Sequence, residues 1–82
     1  MHELGIAESI LTAVRAETAR YPGSRAVKVG VRIGPLSGVN QDSLAFCFQL
    51  AAEQDGNAGL ELSIETGAVD ELDLEYVELE ES

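Results

Sequence analysis

The chain has 82 residues, 45% of them hydrophobic and 24% charged, and a formal net charge of −10. That is one domain, near the size at which a single core supplies only a few kcal/mol of net stability. Residues 1–52 hold all five basic side chains beside four acidic ones, and residues 53–82 hold eleven acidic side chains and no basic one. No basic patch is therefore available for nucleic acid, and no apolar run approaches the ~20 residues of a membrane span. The start lacks a signal-peptide pattern, and the lone Cys47 excludes an internal disulfide or a Cys-only zinc site. Both points suit a reducing, cytoplasmic setting.

The chain opens Met1-His2-Glu3, and this tripeptide is a candidate metal site. The α-amine of Met1 and the amide nitrogen of His2 can close a five-membered chelate ring. That amide and Nδ1 of His2 close a six-membered one. Three nitrogens held in this way suit a square-planar ion, Ni(II) or Cu(II). The fourth corner stays open for the Glu3 amide, a carboxylate, water or a ligand from a partner. Methionine removal needs a small second residue, so Met1 should be retained.

Over residues 3–20, Leu4, Ala7, Ile10, Leu11 and Val14 fall on one stripe at helical spacing, and Tyr21-Pro22-Gly23 stops the helix. Val27, Val29, Val31 and Ile33 then alternate with Lys28, Gly30, Arg32 and Gly34, which predicts a strand with one buried face. Gly34–Gly38 reads as a loop. Asn40 can cap a second helix whose core stripe is Leu44, Cys47, Phe48 and Ala51, supported by Phe46 and Leu50. Cys47 on that stripe reads as a small core residue. The helix ends before the turn cluster Asp55-Gly56-Asn57.

Leu60, Leu62 and Ile64 mark a second strand. In the third, Leu72 and Leu74 share a phase that shifts by one residue at Val77 and Leu79, as a β-bulge near Tyr76 would produce. The pattern αβαββ predicts an α+β domain in two layers, with two helices on one face of a three-stranded sheet. The open face should carry Lys28 and Arg32 against acidic residues of strands two and three. Strands two and three are expected to form an antiparallel hairpin closed at Thr66–Val69. If strands one and two are parallel neighbours, their helical crossover should be right-handed, and strand three lying between them is the other order allowed. The only histidine is His2, so no nucleophile–base pair exists and the chain is not expected to be an enzyme.

The opening Met1–Leu11, the run Val29–Val39, the run Ser43–Leu50 and the run Glu71–Leu79 together resemble the hydrogenase and urease nickel-incorporation family, HypA/HybF. The resemblance implies a nickel metallochaperone for [NiFe]-hydrogenase maturation. Such a protein works with a nickel-handling GTPase and delivers Ni(II) to the hydrogenase large subunit, or to urease. The family's ligands map onto Met1, His2 and Glu3. The family also carries a zinc ribbon with two Cys-x-x-Cys pairs between its last two strands. No such pair is present in this sequence, so residues 1–82 are expected to form a single nickel-binding domain without zinc, the ribbon's place lying between Thr66 and Val69. Gly5 and Pro35 stand where the family more often has Ser and a non-proline residue. A monomer is expected in dilute solution, with a strand-swapped dimer as the competing form. The rival function is an interaction module that docks on a hydrogenase-maturation partner without carrying metal.

Overall fold

A computed structural model describes residues 2–81. The elements follow in the order α1 (Glu3–Ala19), β1 (Ser24–Ile33), α2 (Gln41–Gln54), β2 (Glu61–Thr66) and β3 (Leu72–Glu81). This is the α+β, two-layer arrangement that the pattern predicts. α1 contributes Ala7, Ile10, Leu11 and Val14 to the core, α2 contributes Leu44, Phe48 and Ala52, and both sets meet Val29, Val31 and Ile33 of β1. Asn40 caps α2 as expected, its side chain accepting a hydrogen bond from the Ser43 N–H at 2.9 Å. Three apolar residues depart from the reading. Leu4, Phe46 and Leu50 are exposed, because each helix touches the rest of the molecule along one stripe only, and Ala52 is buried in their stead.

The strand order corrects the expected hairpin. β2 and β3 do not pair; β1 lies between them, parallel to β2 and antiparallel to β3. Charge explains the choice. Pairing two acidic strands would set carboxylates directly opposite one another, which is destabilising. With β1 in the centre, Lys28 bonds Glu61 on one side and Arg32 bonds Glu75 on the other, at 3.6 and 2.8 Å. Lys28 also lies opposite Glu78. The nearby Tyr76, Glu61 and Glu78 raise its pKa above the ordinary lysine value.

The phase change in β3 is a bulge at Glu75, next to the predicted position, since Gly30 faces Tyr76 and Val31 faces Leu74. A second irregularity, at Val27 of β1, has no counterpart in the sequence reading. Tyr76 lays its ring over Gly30 on the open face, where a Cβ would come within 2.7 Å of Cδ2. Glycine is thus required opposite the aromatic ring.

Thr66–Val69 is not the tip of a hairpin. It begins a crossover that passes over the end of β1. The Gly67 N–H donates to the Ile33 carbonyl, and the Gly34 and Leu36 N–H groups donate to the Glu71 and Val69 carbonyls at 2.8 and 2.7 Å. A carboxylate oxygen of Glu71 accepts from the Ala68 N–H at 2.9 Å. The crossover approaches Gly34 so closely that a Cβ there would run into the Ala68 carbonyl oxygen.

Candidate metal centre

The helical pattern that starts at Glu3 fixes where the terminus leaves the fold. His2 is the residue immediately before α1, with an extended backbone at φ −84° and ψ 91°. Its carbonyl accepts the Ile6 N–H at 3.2 Å, the first bond of the helix. The imidazole makes no capping hydrogen bond and the residue is exposed. His2 is therefore a rigidly placed backbone with a side chain that the helix does not use. The first N–H groups of a helix have no acceptor within it, and the positive end of the helix dipole favours negative charge there. An amide nitrogen that has lost its proton to a metal carries such charge.

Glu3 is held differently. Its carboxylate accepts the Asn40 N–H at 3.1 Å. That hydrogen bond is the main reason the Glu3 pKa lies below the ordinary glutamate value. Asn40 thus serves both helices: its side chain caps α2 and its N–H anchors the first turn of α1. The sequence reading treats Glu3 only as a candidate ligand and gives Asn40 only the cap. An acidic residue in the first turn of α1 was the available signal, but its partner is 37 positions away.

Met1 lies outside the described residues, so of the three predicted ligands the structure places His2 and Glu3. Among the described residues no three His, Cys, Asp or Glu side chains gather into a metal-holding group. Cys47 is a half-buried free thiol packed against the core, consistent with the small-hydrophobe reading. No helix among the described residues is long and apolar enough to cross a membrane.

Comparison with known proteins agrees with the resemblance read from the sequence. The family model for hydrogenase/urease nickel incorporation, the HypA metallochaperone, matches residues 1–71. Relatives that match carry the name hydrogenase maturation factor HypA. The one from Psychromonas ingrahamii is 38% identical over 65 residues, spanning 79% of this chain and 57% of the relative. The one from Chloroflexus aurantiacus is 46% identical with the same coverage. That from Chlorobaculum parvum is 44% identical over 66 residues, spanning 79% of this chain and 58% of its own length. No solved structure matches. The chain belongs to the HypA nickel-incorporation family. It spans little more than half the length of the curated relatives that it matches.

Proposed function

We propose that this domain carries one Ni(II) as cargo, bound by the Met1 amine, the His2 amide nitrogen and His2 Nδ1, and hands it on during [NiFe]-hydrogenase maturation. The observation that supports this most directly is the state of His2: extended, exposed and free of any capping bond at the mouth of α1. The Glu3 carboxylate is already engaged with Asn40, so the fourth corner falls to the Glu3 amide nitrogen, water or a ligand from a partner. An open corner suits a carrier, because a receiving protein can enter there before the other bonds break.

The partners that fit this role are a nickel-handling GTPase and the hydrogenase large subunit, in the cytoplasm. In this reading the family's zinc ribbon has its place between Thr66 and Val69, and the sequence contains no Cys-x-x-Cys pair. Nickel binding by the terminal nitrogens requires neither the ribbon nor zinc.

The test is calorimetric titration of Ni(II) into protein with its native terminus, alongside absorbance spectra. One equivalent should bind as a square-planar, diamagnetic ion. His2→Ala, and separately a glycine added before Met1, should abolish this site while circular dichroism stays unchanged. Parental affinity in either variant places the site elsewhere. No nickel binding by the parent protein would favour the adaptor reading.

A further inference from the structure

The helices leave part of the sheet uncovered. Leu72 and Leu74 of β3 stand opposite Ile33 and Val31, on the face that carries the core, yet they remain 41% and 36% exposed. Between them and α1 lies a hollow of about 440 Å³, walled by Ile6, Ile10, Leu72 and Leu74, with Ser9 and Ala13 on its α1 lip. A second hollow continues the α1–β3 seam, with Tyr21, Val77 and Leu79 in its lining. The α1 side of this seam runs from His2 to Arg20, roughly 27 Å at helical rise.

The charge around the seam selects its occupant. Each of the five Lys and Arg side chains is in an ion pair: Arg15 with Asp55, Arg20 with Glu17, Arg25 with Glu80, Lys28 with Glu61 and Arg32 with Glu75. Of the fifteen carboxylates, five are in those pairs, and among the described residues the other ten make no ion pair with Lys or Arg. Asp73 lines the first hollow and Glu81 the second, and among the described residues neither is in an ion pair. A second copy of the chain would bring the same negative field onto the groove. An anionic membrane or a nucleic acid would be repelled in the same way. A purely apolar segment would strip water from these carboxylates without compensation.

We propose that the α1–β3 groove docks an amphipathic helix of a partner protein, with its apolar side chains in the hollows and Lys or Arg along its flanks. This is helix-in-groove recognition, with anchors spaced i, i+3 or i+4, and i+7. The seam accommodates roughly four to five helical turns. His2 closes one end of the first hollow, so the docked helix lies against the proposed nickel ligand. That link to the metal rests on the nickel reading; the docking does not.

The probe is a fluorescent synthetic helix of about 16 residues, with Leu at the anchor spacing and Lys elsewhere, measured by anisotropy in metal-free buffer. A peptide of the same composition with the stripe scrambled, and one with Glu in place of Lys, serve as controls. The Lys helix should bind at one to one, at least tenfold tighter than either control. It should weaken at least tenfold between about 50 and about 300 mM salt, as screening shortens the reach of the charges. Ala13→Trp fills the hollow from an exposed helix position and should reduce binding tenfold or more. The double change Leu72→Ser and Leu74→Ser should do the same. Phe46→Ser, on an exposed site of α2, should leave binding intact. Circular dichroism checks the fold of each variant. Nickel titration of Ala13→Trp separates the two readings, because this variant should lose the peptide and keep the metal. Equal binding of the scrambled peptide, or undiminished binding by both groove variants, overturns the proposal. A dimer that Ala13→Trp dissociates would give the groove to a second copy, and binding to phosphatidylglycerol vesicles would give it to a membrane; either result also overturns it.

Discussion

Gly34→Ala should be the most damaging single-methyl addition in the chain. Gly34 has no positive φ, so the cause is space and not backbone preference. The added Cβ would run into the Ala68 carbonyl oxygen and lie 2.6 Å from that of Val69. Both are backbone atoms and cannot swing aside. The crossover must lift, weakening the bonds from Gly34 N–H to Glu71 and from Leu36 N–H to Val69. Overpacking costs roughly 1–3 kcal/mol and each hydrogen bond contributes about 0.5–1.5 kcal/mol. A loss of about 3 kcal/mol follows, from a total of roughly 4–12 kcal/mol for a domain of this length. Urea denaturation followed by circular dichroism measures the loss, and Tm should fall by roughly 12–24 °C. Gly23→Ala is the control. Gly23 has open space around it but a φ of +86°, so its substitution should cost about 1–2 kcal/mol through the left-handed backbone alone. If Gly34→Ala costs no more than Gly23→Ala, the crossover is not held as described.

Phe48 is 2% exposed at the centre of the core, so Phe48→Ala should cost about 3–5 kcal/mol, and a loss below about 2 in urea melts would refute that placement. Asn40→Ala removes the cap of α2 and should cost about 1 kcal/mol, yet leave the Glu3 carboxyl titration unmoved because the Asn40 N–H remains. The Glu3 pKa is lowered by folding, so its contribution to stability is present above the unfolded value and is lost as pH falls through the folded one. Carbon-detected NMR should place the Glu3 midpoint below 4.5, and a midpoint at or above that value would contradict the Asn40 contact. Imidazole and α-amine nitrogens must shed protons to bind metal, so nickel affinity should fall as pH drops from about 8 to about 6. A flat profile by competition titration would argue against these ligands.

The fold was legible where one local period decides it. The stripe Ala7, Ile10, Leu11, Val14 and the alternation Val29, Val31, Ile33 are both core, and the phase slip in β3 located its bulge to within one residue. Strand order was not legible from those periods, because each strand's pattern says which face is buried and nothing about its neighbour. Charge did hold the answer. Lys28 and Arg32 sit on a strand followed in sequence by two acidic ones, and only a central β1 lets both acidic strands meet a cation. Such cross-strand pairs are worth under about 1 kcal/mol each, but the alternative order would replace them with like-charge contacts.

The candidate site divides in the same way. The proposed chelate at Met1 and His2 is covalent geometry within two residues, so it could be read from the sequence without any fold. What the fold adds is the tether of the neighbouring residue. The Glu3–Asn40 contact joins the first turn of α1 to the cap of α2, and loop residues 34–36 just before it are bonded to the crossover at Val69 and Glu71. One continuous stretch of backbone, residues 34–40, therefore touches both the start of α1 and the crossover that leads into β3. Its partners lie 33 to 37 positions away in the chain, beyond the reach of any motif. Under the nickel reading, movement at the crossover either acts on the proposed terminal ligands through contacts of this kind or does not reach them. Asn40→Pro distinguishes the two, since it removes the N–H that holds Glu3 and leaves every proposed nickel ligand in place, with Asn40→Ala as the control for the lost cap of α2. If nickel affinity in this domain is unchanged while the Glu3 midpoint rises, the tether positions the helix and not the metal.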